Sequence, residues 1–330
     1  MIGHDWAVNL LQSHIGRDHV QHAYLITGAD GLGKRTLALR FAQALLCTGA
    51  NSPGEICGTC RACRSIADLA FPDLHLVTPE SPGGMIKVEQ VRELQGQLAL
   101  KPFEGKWRVA VCLEFHDAND SAANALLKTL EEPASSVVLI LTARSVEALL
   151  PTIVSRCEVI PLRQVDETSI FNALRSAGAA EEKAKLISHL ADGRPGWALA
   201  ADVNAEQLSR RSQWLDDMSG LLQESLAGRF AYLDTMLGEE DTESQRGLAL
   251  EALEHWSSLW RDALLRGYKA EGVEPRNIDR VGDLDAILAS IDVGTIGHIL
   301  RQAEDVRLAI QQNANVRLAL ENWFLDLPHG

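Results

Sequence analysis

The sequence predicts an α/β nucleotide-binding module of the doubly wound kind, followed by purely helical domains. Three observations predict it: a glycine-rich loop between a strand and a helix, apolar strands alternating with amphipathic helices as far as Leu162, and the disappearance of strand-like runs from about residue 164. At 330 residues the chain is too long for one compact core and suggests two or three domains.

Residues 5 to 19 read as an amphipathic helix through Trp6, Leu10, Leu11 and Ile15, leading into a strand over residues 23 to 27. The loop Gly28-Ala29-Asp30-Gly31-Leu32-Gly33-Lys34-Arg35-Thr36 comes next, then a helix apolar at Leu37, Phe41, Ala44 and Leu45. That context supports a phosphate-binding loop of the pattern G-x-x-x-x-G-K-[ST]. Gly28, Gly31 and Gly33 let backbone N–H groups turn inward around phosphate oxygens, Lys34 reaches the β and γ phosphates, and the helix N-terminus adds its positive dipole. The residue after the lysine should carry a hydroxyl for Mg²⁺, but it is Arg35. Thr36 sits one place late, about 100° further round the helix, and is expected to point away from the metal position. The plain alternative is a glycine-rich turn that holds no ligand.

Four of the six cysteines follow as Cys47-x9-Cys57-x2-Cys60-x2-Cys63. Thiolates this closely spaced can meet at the corners of a tetrahedron, and Zn²⁺ is the usual metal for four of them; disulfides or free thiols are the alternative. Four thiolates leave no open position for water or substrate, so the expected role is structural. Such a site staples an insertion that has no core of its own, and zinc can supply on the order of 10 kcal/mol toward folding it.

Residues 74 to 77 form a short strand, and Ile86 to Leu100 show helical spacing through Val88, Val91, Leu94 and Leu98. The run from Trp107 to Leu113 is apolar enough to be buried on both faces, as in a parallel sheet. A helix from Ser121 to Glu132, a strand from Val137 to Thr142 and a last strand ending at Leu162 complete the module. Beyond it, a small helical piece ends near Leu199 and a larger helical region begins near residue 206. There Leu253, Trp256, Trp260, Ala263 and Leu264 share one helical face, and with Trp214 and Trp323 they read as core or packing surface.

Net charge is −14 with a pI near 5.2, the wrong sign for a chain whose main work is gripping a phosphate backbone by itself. No apolar run reaches the ~18 residues of a membrane span, and Met1 to Trp6 lack a signal-peptide pattern. A soluble cytoplasmic protein is expected.

Ala123-Asn124-Ala125-Leu126-Leu127-Lys128-Thr129-Leu130-Glu131-Glu132-Pro133, followed after a strand by Ser155-Arg156-Cys157, resembles the bacterial DNA polymerase III clamp loader, a branch of the AAA+ ATPases. The four-cysteine insertion and Asn313 to Glu321 near the C-terminus fit the same family, so the likeness spans essentially the whole chain. The resemblance implies an AAA+ module over residues 1–163 carrying the zinc element at 47–63, a small helical lid at 164–206 and a helical collar at 207–330. It also implies a place in a five-subunit ring with tau/gamma and delta, contact with the sliding clamp and primer-template DNA through that complex, and membership of the DNA-directed DNA polymerase holoenzyme.

Three positions depart from an active member of the family. Where its strand ends in Asp-Glu, with the Asp on Mg²⁺ and the Glu activating water, this chain has Leu113 and Glu114. Arg35 replaces the metal hydroxyl, and Gly196 in Gly193-Arg194-Pro195-Gly196-Trp197-Ala198-Leu199 replaces the lid arginine that senses nucleotide. Hydrolysis depends on positioning and on charge neutralisation by Mg²⁺, so none is expected here, and binding of ATP or Mg²⁺ is expected to be weak or vestigial. By the resemblance Arg156 acts in trans on ATP held by a neighbouring subunit, with a surface salt bridge as its plain alternative. Thr142 matches the family's polar sensing position, or caps the next turn. Two rival functions are an autonomous ATPase using Glu114 and Thr36 in an unusual geometry, and a zinc-based DNA-binding module.

Overall fold

Five short runs become one parallel sheet, in which the three central strands are buried on both faces and the two edge strands only in part. In the computed structural model, which describes residues 1–81, 84–238, 241–270, 272–273 and 275–328, these are β1 (Ala23–Thr27), β2 (Leu74–Val77), β3 (Arg108–Cys112), β4 (Val137–Ala143) and β5 (Glu158–Pro161). The order across the sheet is β2-β3-β4-β1-β5, with every pairing parallel. The carboxyl ends therefore line one edge, and the glycine-rich loop leaves β1 at that edge.

Around the sheet lie α1 (Asp5–Gly16), α2 (Lys34–Leu46), α3 (Arg61–Ala67), α4 (Val88–Leu98), α5 (Asp120–Glu131) and the single turn α6 (Pro151–Val154), and α7 (Glu167–Ser176) follows the last strand. The two-residue period of a strand divides the core. Tyr24, Ile26, Val109 and Val111 face Leu11, Leu37 and Phe41 of α1 and α2, whereas Leu25, Ala110, Leu139 and Leu141 face Val91, Leu94, Leu126 and Leu130 of α4 and α5. Fully buried Asp73 fixes the approach to β3, accepting from the backbone N–H groups of Phe103 and Glu104 at 2.7 Å each and from Arg108 at 3.3 Å.

Contacts divide the chain into two compact units, residues 1–177 with 193–199 and residues 178–192 with 200–330. The second contains α8 (Glu181–Leu190) and, after α9 (Pro195–Val203), the helices α10 (Ala205–Leu221), α11 (Leu226–Leu237), α12 (Thr242–Gly267), α13 (Val281–Ser290), α14 (Val293–Gln311) and α15 (Val316–Asp326). Asn204, Ser225, Asp241, Asp292 and Asn315 cap five of these helices with side-chain oxygens that accept backbone N–H groups.

Trp256 forms the hub of this unit, fully buried and within 6.0 Å of Trp214 and 5.8 Å of both Trp323 and Phe324, ring centre to ring centre. Arg229, also fully buried, donates to the carbonyls of Leu221, Phe324, Leu327 and Pro328, so its charge sits on the C-terminal end of α15. No helix among the described residues is long and apolar enough to cross a membrane.

Candidate functional site: the loop after β1 and the cysteine quartet

Gly28, Gly31 and Gly33 all have positive φ, at 141°, 81° and 95°. Only residues without a Cβ adopt this sequence of turns without strain, and at Gly28 a Cβ would also lie 2.7 Å from the carbonyl oxygen of Leu162. The loop thus wraps as its spacing predicts, with Gly33 as the left-handed residue that opens α2. The N-terminal segment covers it from outside: the imidazole of His4 hydrogen-bonds the carbonyl of Leu32 at 3.0 Å. Burial holds His4 below its ordinary pKa, so near neutral pH it is an uncharged ring whose Nε2–H donates to that carbonyl.

Lys34 is 6% exposed and turned back onto its own loop. Its Nζ donates to the carbonyls of Gly28 (2.6 Å) and Ala29 (3.0 Å) and to Oδ1 of Asp30 (3.1 Å). Arg144, just beyond β4, donates from Nε to the other Asp30 oxygen at 3.1 Å. Burial would raise the Asp30 pKa, but Lys34 and Arg144 outweigh it and hold the carboxyl below its usual range.

A cleft of about 650 Å³ opens beside this loop, lined by Asp30, Lys34, Arg35, Leu113, Glu114 and Thr142 among others. Arg35 is exposed at the position that would carry a metal-binding hydroxyl, and Leu113 is a buried apolar side chain at the position that would carry the metal carboxylate. Glu114 has a left-handed backbone (φ 52°), and its N–H donates to the Thr142 hydroxyl at 2.9 Å. Thr142 is thereby tied to the turn after β3, while its own hydroxyl hydrogen stays available to a further acceptor. Thr36 lines a different groove, with Leu39, Gln43 and Ile66.

Arg156 lies two residues before the start of β5, whose Glu158 pairs with Tyr24 near the start of β1. In a parallel sheet this places Arg156 at the amino edge of the strands, opposite the loop at their carboxyl edge. Its guanidinium donates to the Thr152 carbonyl (2.8 Å) and to Glu131 at the end of α5 (2.9 Å), and it is 35% exposed. The neighbouring Cys157 thiol is pushed up to about 12 by burial and stays protonated.

The four cysteines converge. Their sulfurs all lie within 4.8 Å of one another, with Cys47 to Cys57 at 3.6 Å, Cys47 to Cys60 at 4.0 Å and Cys57 to Cys63 at 3.9 Å. A tetrahedron with Zn–S bonds of ~2.3 Å has edges of about 3.8 Å, so the quartet fits a zinc ion, whereas a disulfide needs sulfurs ~2.05 Å apart. The N–H groups of Cys57, Cys60 and Cys63 point at the sulfurs of Cys47, Cys57 and Cys60 at 3.5, 3.3 and 3.4 Å, an outer shell that favours thiolate. Cys47 ends α2 and Cys60 caps α3, so a metal here would join the helix of the phosphate loop to the insertion.

Sequence reasoning did not find Asp30, Arg144 or His4. The first had a signal, since Asp30 and Lys34 are four residues apart; the other two are brought in by β4 and by the chain ahead of α1, which no local pattern reveals.

A family described as DNA polymerase III, delta subunit matches residues 3–166. Across 79% of its length the chain is 32% identical to the DNA polymerase III subunit delta' of Pseudomonas aeruginosa, covering 76% of that protein. It is 36% identical to the delta' subunit of Haemophilus influenzae over 54% of each chain. The tau/gamma subunit of the same organism is 35% identical over 53% of this chain, which spans 25% of that longer protein. A DNA polymerase III gamma subunit-related protein from Thermotoga maritima superposes with a TM-score of 0.50 at 19% identity, over 97% of both chains, a likeness of fold alone.

Proposed function

The chain belongs to the DNA polymerase III subunit delta' family, and from that premise we propose that it is a ring member of the clamp loader that hydrolyses no ATP itself and supplies Arg156 to a neighbour's ATP. The observation that carries the reading is the pair Arg35 and Leu113 lining the loop's cleft, one cationic and one apolar, where a hydrolytic site would hold its metal with a hydroxyl and a carboxylate. Phosphoryl transfer relies on metal charge at the β and γ oxygens, and neither side chain can ligate Mg²⁺.

Arg156 supports the second half of the reading. It lies at the far edge of the sheet from its own loop, so ATP that it touched would be bound by another chain. A guanidinium spread over the transferring phosphoryl oxygens is worth ~10³-fold or more in rate. To act, it must exchange Glu131 for phosphate, an exposed ion pair whose loss costs at most about 1 kcal/mol.

The reading includes an AAA+ module over residues 1–163, a lid over 164–206 and a collar over 207–330 that joins tau/gamma and delta in the cytoplasm. A zinc ion on Cys47, Cys57, Cys60 and Cys63 would brace the insertion, and contacts with clamp and primer-template DNA would be made through the assembled ring. The test is ATPase activity of the ring with DNA and clamp, rebuilt with Arg156→Ala. A fall of two orders of magnitude or more is expected, and an unchanged rate refutes the role in trans.

A further inference from the structure

The sheet ends at β2, which pairs with β3 alone, and the register of that ladder fixes which backbone groups are open at the edge. The N–H groups of Val109 and Leu113 donate to the carbonyls of Asp73 and Val77 at 2.8 and 2.9 Å, so the odd-numbered residues here turn their backbone toward β3. Leu74, Leu76 and Thr78 turn theirs outward. The Leu74 N–H is already used, donating to the Phe71 carbonyl at 3.1 Å, and the Thr78 carbonyl accepts from Nε2 of Gln90 at 2.9 Å. Among the described residues no hydrogen bond engages the carbonyls of Leu74 and Leu76 or the N–H groups of Leu76 and Thr78.

Beside this edge runs a groove of about 260 Å³, lined by β2 and by Gln90, Glu93 and Gln97 of α4. His75 shares a face of β2 with Val77, which packs in the core with α4, so its imidazole lies on the α4 side. Its Nε2 is buried and has no hydrogen-bond partner among the described residues. Glu93 is exposed, and no ion pair among the described residues engages it. The groove thus joins an open strand backbone to an unpaired ring nitrogen and an unpaired carboxylate.

We propose that the free edge of β2 takes up an extended segment of another subunit of the ring as an added strand, with a lysine or arginine of that segment reaching Glu93 and His75. Donors and acceptors that recur at every second residue match another extended backbone, whereas a helix has already used its own. Glu93 sets the sign of the charge, and the flank of α4 gives the incoming side chains a wall to lie against. Pro72 and Pro79 bracket the strand, so the added pairing is confined to residues 74–78 and the edge is too short to recruit strands indiscriminately. The inference rests on the ring membership proposed above and names a surface that serves it.

The experiment measures amide hydrogen exchange, resolved to single residues by fragmentation mass spectrometry, on the full chain alone and in the ring assembled with tau/gamma and delta. In the free chain the Leu76 and Thr78 amides should exchange fast, while those of His75 and Val77, turned toward β3, exchange slowly. In the ring the first two should slow about tenfold or more and the other two should not change. Leu76→Pro removes an outward donor where an edge strand tolerates proline, and should weaken association about fivefold, the loss of one backbone hydrogen bond. Glu93→Lys should weaken it by a similar factor, with circular dichroism melts on both variants; if Leu76→Pro does not fold, the exchange data and Glu93→Lys decide. A ring that assembles with Leu76 and Thr78 exchanging as fast as in the free chain overturns the proposal, as does wild-type affinity in both variants, and either result leaves ring membership standing. No assembly at all, read by size-exclusion chromatography, refutes ring membership and this inference with it.

Discussion

The backbone N–H of Gly196 donates to the carbonyl oxygen of Gly31 at 2.7 Å, so the start of α9 is bonded to the middle of the phosphate-loop sequence. A Cβ at Gly196 would lie 2.8 Å from that same oxygen, and one at Gly31 would lie 3.2 Å from the Cβ of Arg194. The close approach requires glycine on both sides. The position to which the family resemblance assigns a nucleotide-sensing arginine is therefore occupied here by a backbone contact.

This contact predicts that Gly196→Arg opens the seam. No rotamer of the arginine relieves a clash at Cβ, so the loop and residues 193–199 must separate, at a cost of about 1–2 kcal/mol. Hydrogen–deuterium exchange read by mass spectrometry should show faster exchange in peptides covering 28–36 and 193–199 and no change over β3 and β4. Unchanged exchange in both peptides would show that the backbone accommodates a side chain and that the contact is incidental.

The pair Arg156 and Glu131 predicts an asymmetry. Removing Glu131 frees the guanidinium and breaks only an exposed ion pair, so Glu131→Gln should shift Tm by no more than a degree or two and leave ring ATPase at or above the wild-type level. Arg156→Ala breaks the same pair and removes the group proposed to act in trans, so its rate should fall by ~10³. Equal losses in the two variants would mean that the ion pair holds the turn after α6 in shape and that Arg156 has no direct role.

The cysteine quartet predicts one zinc per chain by elemental analysis, lost when Cys60 and Cys63 are replaced by serine. Sulfurs already within 4.8 Å of one another need little rearrangement to bind. Chelation should therefore destabilise the insertion, lowering Tm and increasing proteolysis between residues 47 and 67. A chain that melts identically with and without chelator, or that purifies with no zinc, contradicts the structural role.

Much of this is legible in the sequence. The strand Val137–Thr142 reappears as β4 with one further residue, and of the face Leu253, Trp256, Trp260, Ala263 and Leu264 the first four are fully buried and Leu264 half-buried, because continuous apolar runs and helical spacing are local signals of burial. The glycine spacing of the loop foretold its positive φ angles, and the cysteine spacing foretold convergence of the four sulfurs. The contact between Gly31 and Gly196 was not legible: 165 residues of chain separate them, and the sequence shows only that both are glycine. Nor was the self-engaged state of Lys34, which depends on Arg144 arriving from β4 to hold the far side of Asp30. Short α3 and α6 were missed because seven and four residues carry too little periodicity to read.

The buried polar cluster of the second unit predicts an acid-labile joint between α10 and the turn before α13. Arg211, 4% exposed, donates to both oxygens of Asp279 at 2.8 and 2.9 Å and to Asn277 at 2.5 Å, and Asn277 in turn donates to Asp262, itself fully buried. Burial alone would raise the Asp279 pKa, but the hydrogen bond and charge of Arg211 outweigh it and hold the carboxyl below its usual range. A carboxylate with a depressed folded-state pKa stabilises fully above its unfolded value of ~3.9, and that stabilisation is lost as pH falls through the folded value. Thermal melts from neutral pH downward should thus show the wild type losing stability below about pH 4 more steeply than Asp279→Asn, which lacks the titrating group. Arg211→Met leaves Asp279 and Asn277 without their donor and should cost about 3 kcal/mol at neutral pH. Parallel pH profiles for wild type and Asp279→Asn would locate the acid sensitivity elsewhere, and a neutral Arg211→Met would mean that apolar packing between α10 and α12 suffices to fix the joint.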